Sequence, residues 1–147
     1  MANIYDPKTF VPGTGVGKML SRVKMAMHEA LEQELAPFDI TAAQFVILVN
    51  LASGEVESAS QLCKGVSYDP GAMTRMLDRL ERKGLVRRVR CPKDRRKVIL
   101  EMTAEGKAVY PKLAASYVDV LNRFLHGFTK AEARELEALL ERMLANA

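Results

Sequence analysis

The sequence predicts a mostly α-helical protein with one small β-hairpin. Over most of the 147 residues the apolar side chains recur at steps of three and four, which is typical of helices that pack on one face. After Gly84 the step changes to two, and a charged turn separates two short alternating runs. A chain of this length buries a core by itself, so we predict one domain or two cooperating lobes.

The N-terminal part is predicted to be an irregular arm followed by a long helix. Residues 1–15 are rich in proline and glycine, which interrupt regular structure. A helical stripe begins at Val16 and ends before Pro37, because the residue before a proline disfavours helical backbone. The apolar members of this stripe are Val16, Leu20, Val23, Met27, Leu31 and Leu35.

A second helix is predicted over Ala42–Leu51. Thr41 is placed to cap its first turn, and Gly54 is placed to end it. The inward side chains of this helix are predicted to be Phe45, Leu48 and Val49.

Two further helices joined by a turn follow. Ser58 or Ser60 would cap the first, which is short, and the turn is predicted over Gly65–Asp69. Asp69 is the candidate cap of the next helix, with Pro70 at the first helical position, where proline is favourable. The apolar face of that helix consists of Met73, Met76, Leu77 and Leu80, and the opposite face carries Thr74, Arg75, Asp78, Arg79 and Arg82.

A β-hairpin is predicted after Gly84, with strands at Leu85–Arg90 and Lys97–Met102. The segment between these strands is basic, and we expect it to be exposed. In the second strand, Val98, Leu100 and Met102 alternate with Lys97, Ile99 and Glu101.

Two helices are predicted at the C-terminal end. The first starts at about Thr103 and extends to about Phe128, with Pro111 in its first turns or at a kink. Thr129 and Glu132 have the spacing of a capping box and would start the last helix.

The composition argues against several classes of protein. No apolar run approaches the roughly 20 residues that a membrane helix needs, and residues 1–17 lack a signal pattern, so we expect a cytoplasmic protein without a membrane partner. The two cysteines and two histidines do not cluster as in a zinc site or a catalytic triad. We therefore predict no metal, no cofactor and no enzymatic activity.

Positive charge is concentrated in the basic stretch, Arg75–Lys97. These 23 residues contain eleven Lys or Arg and three acids, a net charge of +8, whereas the whole chain has +4. A mildly acidic body with one basic element is typical of a nucleic-acid-binding surface. A solvated charged helix is the alternative, and it would normally intersperse the two signs.

The order of helix, short helix, turn, basic helix and basic hairpin predicts a winged helix-turn-helix. The basic helix fits the major groove of DNA, and the hairpin tip reaches the adjacent minor groove. Arg75 is placed to bond a guanine and Thr74 to touch a thymine methyl or a phosphate. The full set of predicted DNA-binding residues is Ser60, Gln61, Ser67, Asp69, Pro70, Ala72, Thr74, Arg75, Arg79, Lys93, Asp94, Arg95, Arg96 and Lys97.

Three motifs resemble those of the multiple antibiotic resistance regulator (MarR) family. The first begins with Asp-Pro-Gly-Ala-Met-Thr-Arg-Met-Leu-Asp at Asp69, the second is Pro92–Lys97, and the third is Met102–Gly106. The segment Leu35–Phe45 strengthens the likeness, which extends over about Val16–Met143. Met102 stands where the family usually has leucine.

The resemblance implies a homodimeric transcriptional regulator, usually a repressor, that binds a pseudo-palindromic operator. It implies a DNA-binding lobe at residues 37–103 and a helical dimerisation lobe at residues 16–36 and 104–147. It also implies that Asp94 braces Arg96, which enters the minor groove. Activation instead of repression would depend on where the operator lies, which the protein sequence does not determine.

The resemblance further implies control by small aromatic acids or phenols, which commonly relieve repression in this family by binding between the two lobes. Arg22 could pair with a carboxylate, and Met25 or Phe45 could cover a ring. The predicted ligand-binding residues are Lys18, Ser21, Arg22, Met25, His28, Phe45 and Val49. A surface ion pair for Arg22 and core packing for the others is the simpler alternative.

Two other functions are consistent with the sequence. Peroxide-sensing members of the family use a cysteine near the start of the first helix, where this chain has none. Cys63 and Cys91 are the remaining candidates for redox control, and the basic residues around Cys91 favour its reactive thiolate. The second alternative is a winged-helix module for protein contacts, against which the basic helix and hairpin argue.

Overall fold

The computed structural model describes residues 3–65 and 69–147 of the chain. The predicted turn at residues 65–69, including Ser67, therefore lies largely outside the described residues. The elements in order are α1 (Gly15–Leu35), a 3₁₀ helix (Ala36–Phe38), α2 (Ala42–Ser53), α3 (Ala59–Gly65), α4 (Pro70–Arg82), β1 (Val86–Arg90), β2 (Val98–Met102), α5 (Ala104–Phe124) and α6 (Lys130–Leu144). The prediction of a mostly helical fold with one antiparallel hairpin is confirmed.

The described chain divides into two compact units. The first unit contains residues 3–30 and 118–147, and the second unit is Leu31–Tyr117. Of the sixteen buried hydrophobic residues among those described, fourteen belong to the second unit. Only Ala30 and Val120 are buried in the first unit, so the second unit has a core of its own while the first exposes much of its apolar surface.

The core of the second unit is built around α2 and α4. Of the four residues predicted for the apolar face of α4, Met73, Leu77 and Leu80 are buried and Met76 is half-buried. On α2, Phe45 and Leu48 are buried as predicted. Val49 is 37% exposed, so its predicted inward position is wrong, and Ile47 is buried instead.

The helices begin at the predicted capping residues. The Thr41 hydroxyl accepts a hydrogen bond from the Gln44 N–H at 3.1 Å, and the Gln44 side chain accepts one from the Thr41 N–H at 3.1 Å. This reciprocal pair satisfies two donors at the start of α2. Thr129 and Glu132 form the same capping box at the start of α6.

The fifth helix is shorter than predicted. It ends at Phe124 instead of Phe128, and a turn follows in which Gly127 has φ +88°. Glycine reaches this left-handed backbone without strain, which allows the chain to reverse into α6. Pro111 lies inside α5, as its eighth residue.

The start of α5 packs closely against the start of the hairpin. The Thr103 hydroxyl donates to the Gly84 carbonyl and accepts a hydrogen bond from the Gly106 N–H at 3.0 Å. A Cβ at Gly106 would lie only 2.2 Å from the Leu85 carbonyl oxygen, so the backbones could not approach this closely with a larger residue. The Thr–Ala–Glu–Gly motif therefore anchors α5 beside the hairpin.

Candidate DNA-binding surface

The first turn of α4 is fixed by its cap. Asp69 Oδ1 accepts a hydrogen bond from the Ala72 N–H at 2.8 Å, and Pro70 occupies the first helical position. The cap satisfies one of the donors that a helix start leaves open. Asp69, Pro70 and Ala72 therefore hold the end of the helix that was predicted to enter the major groove.

Two predicted base contacts lie just beyond this cap. The Thr74 hydroxyl donates to the Pro70 carbonyl at 2.8 Å, which leaves its oxygen as an acceptor and its methyl group for an outside partner. Arg75 is exposed, and its Nη1 lies 3.6 Å from the position that a Cβ on Gly71 would take. The guanidinium thus reaches back over the first turn of α4, while the exposed Arg79 lies one turn further on.

The hairpin forms the wing, which consists of β1, β2 and the turn between them. Val86 pairs with Met102 and Arg90 with Val98, so the two strands are in register over their full length. At the tip, Asp94 Oδ1 accepts a hydrogen bond from the Arg96 N–H at 3.0 Å. This contact braces the turn through the backbone of Arg96 and leaves its side chain exposed.

The residues directly before α3 are hydrogen-bonded to the second strand of the wing. The Leu100 N–H donates to the Glu57 carbonyl at 2.7 Å. Gln61 Oε1 accepts from the Glu57 and Ser58 N–H groups at 2.8 and 3.1 Å, and Ser58 Oγ accepts from the Gln61 N–H at 3.2 Å. Ser58 is thus the cap of α3. The side-chain oxygen of Gln61, a residue predicted to contact DNA, is bonded to the backbone of the same chain. A cleft of about 420 Å³ lies here, lined by Glu57, Ser58, Ser60, Gln61, Lys97, Val98 and Ile99.

The basic stretch contains cations of two kinds. Lys83 lies 3.5 Å from the Asp39 carboxylate, Arg87 lies 2.7 Å from that of Glu101, and Arg88 is paired with two acids on α4. The other eight cations are exposed, and none has an ion pair within residues 3–65 and 69–147. They are Arg75, Arg79, Arg82, Arg90, Lys93, Arg95, Arg96 and Lys97.

The residues predicted to bind a small molecule fall in both units. Phe45 is buried in the second unit, with its ring centroid 6.4 Å from that of Tyr110 and 5.6 Å from that of Tyr117. Val49 belongs to the same unit and is exposed. No sequence motif singles out Tyr110, although it lies two helical turns before Tyr117 on α5. The remaining candidates lie along α1 in the first unit and are all exposed, Met25 at 69%. They are Lys18, Ser21, Arg22, Met25 and His28.

Both cysteines are free and half-buried, Cys63 in α3 and Cys91 directly after β1. Within the described ranges, no group of three or more His, Cys, Asp or Glu could hold a metal ion.

In the same part of the chain no single helix is long and apolar enough to cross a membrane. Gly15–Phe38 and Ala42–Ser53 pass that test only as a bent pair, by length and composition alone.

A capped helix with exposed cations, preceded by a short helix and followed by a hairpin with a cationic tip, defines a winged helix-turn-helix protein of the DNA-binding class. Comparison with known proteins agrees with this class. Residues 40–98 match the MarR family. The multiple antibiotic resistance protein MarR of Escherichia coli K12 is 35% identical over 130 residues, which cover 88% of this chain and 90% of that protein. The chain belongs to the MarR family of transcriptional regulators.

Solved structures give the same result. A cysteine-to-serine mutant of E. coli MarR in complex with operator DNA matches 87% of this chain and 92% of its own, with a TM-score of 0.77 and 35% identity. BpsR of Bordetella bronchiseptica, whose structure concerns regulation of DNA binding by 6-hydroxynicotinic acid, matches 91% and 96%, with a TM-score of 0.79 and 25% identity.

Proposed function

We propose that the protein is a cytoplasmic, homodimeric repressor that binds a pseudo-palindromic operator and releases it when a small aromatic acid or phenol binds. The observation that carries the proposal is the set of eight exposed cations on α4 and the wing that have no ion pair within the described ranges of the chain. A dimer with two-fold symmetry would present this set twice, once to each half-site.

The positions of the exposed cations support contact with both grooves of DNA. Arg75 lies near the capped start of α4, the end that enters the major groove in a helix-turn-helix. Arg96 lies at the tip of the wing, where an arginine gains from the negative potential of a narrow minor groove. Lys93, Arg95 and Lys97 would contact the phosphates on either side. The E. coli relative solved in complex with operator DNA supports operator binding by this surface.

The first unit supports dimerisation. None of the residues of α6 is buried, although Leu136, Leu139 and Met143 recur along it at helical spacing and are 39–44% exposed. Val16 and Val23 on α1 are also exposed, at 43% and 47%. Apolar surface of this extent in one unit is typical of an interface. A second copy of the chain would bury it on both sides of a two-fold axis.

A carboxylate-bearing aromatic compound is the effector class we propose. Lys18 and Arg22 are exposed cations on α1, and a guanidinium pairs with a carboxylate through two parallel hydrogen bonds. The regulation of the BpsR relative by 6-hydroxynicotinic acid supports a ligand of this chemistry. Replacing Arg22 with alanine should then weaken the response to an aromatic acid and leave DNA affinity unchanged. An unchanged dose-response would remove Arg22 from the site.

Selection from a random-sequence DNA pool tests the proposal directly. The selected DNA is then challenged with a panel of aromatic carboxylates and phenols. We expect enrichment of a two-fold symmetric site and its release by at least one compound. Enrichment without release would leave the DNA-binding function and remove the proposed effector class. Binding that shows only salt-sensitive, sequence-independent background would overturn sequence-specific regulation.

Control by thiol oxidation is the second candidate, because E. coli MarR relatives have been solved in reduced and oxidised forms. Cys63 and Cys91 are the two available thiols. A variant with serine at both positions separates the two triggers. Release of wild-type protein by oxidant, with no release of the variant, would favour oxidation as the signal.

A further inference from the structure

Arg88 on β1 connects the wing to α4 through its side chain. Its Nη2 donates to Asp78 Oδ1 at 2.8 Å, and its Nη1 donates to Glu81 Oε2. Both acids lie on the C-terminal half of α4, three residues apart and therefore on one face of the helix. The Arg88 side chain is 31% exposed, so the pair is partly shielded from solvent.

The backbone between α4 and the wing is short and contains a glycine. Gly84 has φ +72° and lies between the end of α4 and the start of β1. A two-stranded hairpin is marginally stable by itself, so its direction depends on what it packs against. A planar guanidinium bonded to two carboxylates fixes both a distance and a direction, which a single flexible lysine would not.

We propose that Arg88 is a positioning residue that holds the wing at the angle at which α4 and the wing tip contact the same half-site. This proposal rests on the proposed DNA-binding function. Arg88 does not contact DNA in this role, since its donors are directed at Asp78 and Glu81. It also offsets part of the negative charge that these two acids place on the DNA-binding helix.

Arg87 provides a matched control. It is the neighbouring residue on β1, and its guanidinium bonds Glu101 directly across the hairpin, with Nε and Nη2 at 2.9 and 2.7 Å from Oε2. We call the bonds of Arg88 to Asp78 and Glu81 the tie between the wing and α4. The Arg87–Glu101 pair joins the two strands of the wing and is not part of this tie. Arg87→Met and Arg88→Met remove the same charge from the same strand, so a difference between them reports the tie and not the charge.

The test is footprinting of the selected operator at saturating protein. Methylation of guanine N7 reports the major groove under α4, and hydroxyl-radical cleavage reports the minor groove under the wing. For Arg88→Met we expect guanine protection to remain and the wing protection to be lost. The slope of log K against log salt should fall in magnitude by about 0.9 for each wing cation that no longer meets a phosphate. Arg87→Met should keep both protections.

A second variant removes the same tie from the other side. Asp78→Ala combined with Glu81→Ala removes both acceptors of the Arg88 guanidinium and makes α4 less acidic, so charge alone would strengthen DNA binding. We expect this variant also to lose wing protection, and a cooperative thermal unfolding transition would show that it is folded. The variant keeps the proposal testable even if Arg88→Met fails to fold.

The outcomes separate this proposal from the proposed function. A wild-type protein without a symmetric footprint would overturn both. A wild-type footprint together with full wing protection in the Arg88→Met variant or in the Asp78→Ala/Glu81→Ala variant would overturn only the positioning role. Equal losses in the Arg87→Met and Arg88→Met variants would do the same, because the effect would then follow the charge.

Discussion

Arg75 and Lys83 carry the same charge at opposite ends of α4 and have different surroundings. Arg75 is exposed near the capped first turn. Lys83 Nζ contacts the carbonyl and carboxylate of Asp39 and lies 3.2 Å from Gln44 Oε1. At the scale of single residues, the charge of Arg75 is exposed to an outside partner such as DNA, whereas the charge of Lys83 is paired with Asp39 of the same chain.

Replacing Arg75 with alanine should cost about 1–3 kcal/mol in operator binding and relax the preference at one base pair of each half-site. The reason is that an arginine bonded to a guanine edge reads one position. The measurement is affinity for a set of operators with single substitutions. Lys93→Ala is the control and should weaken all sequences equally. An equally uniform loss for Arg75→Ala would make Arg75 a phosphate contact.

At the scale of the elements, prediction succeeded where one face of a helix meets a core within the same chain. The apolar residues of α4 alternate with charged ones, so the sequence itself marks Met73, Leu77 and Leu80 as the buried face. On α2 the side chains are apolar on several sides, and periodicity could not distinguish Ile47 from Val49. The pairs Lys83–Asp39 and Arg88–Asp78 depend on tertiary placement, which the local pattern of charges does not contain.

The tie of Lys83 to the turn before α2 should stabilise the second unit. Lys83→Met removes its contacts with Asp39 and Gln44, and we expect a loss of about 1 kcal/mol in the free energy of unfolding, because the ammonium is partly solvated. Urea unfolding measures this loss. Arg82→Met, next to it and exposed without an ion pair among the described residues, should change stability by less than about 0.5 kcal/mol. Equal losses in the two variants would contradict the role of the tie.

The capping box of α6 should make stability depend on pH. The Glu132 carboxylate accepts hydrogen bonds from the Thr129 N–H at 2.7 Å and from its hydroxyl at 2.9 Å. The backbone bond, followed by the hydroxyl bond, holds the pKa of Glu132 below its ordinary value of 4.5. A lowered folded-state pKa means that the stabilisation is complete above about pH 4.5 and is lost as the pH falls through the folded-state value.

Glu132→Gln tests this dependence, because glutamine can keep a capping box but does not titrate. The quantity to follow is the difference in unfolding free energy between wild type and variant, measured in urea from pH 7 to pH 3. We expect the advantage of the wild type to shrink as the pH falls below about 4.5. An advantage that grows on acidification would show that the bonded carboxylate does not stabilise the helix.

At the scale of the whole molecule, the two units differ in what their apolar faces meet. The apolar residues from Val16 to Leu35 recur at helical spacing along the whole of α1. Only the last two of them, Leu31 and Leu35, are buried. The periodicity predicted the apolar face of α1. It could not distinguish the part of that face that packs within the chain from the part that stays exposed in a single chain. Burial by a second copy is a property of two chains, and the periodicity of one chain does not contain it.

The exposed stripe of α6 therefore carries the sharpest prediction about assembly. Leu139 is 44% exposed between Leu136 and Leu140, so in a dimer built on α6 an aspartate there would bury an unpaired carboxylate, at a cost of several kcal/mol. We expect Leu139→Asp to sediment as a single chain of 16.3 kDa while wild type sediments at twice that mass. The folded second unit should persist, since its buried residues lie elsewhere. Ala138→Asp places the same charge beside the stripe and should leave the dimer intact. A Leu139→Asp protein that remains dimeric, or equal dissociation of both variants, would show that α6 does not form the interface.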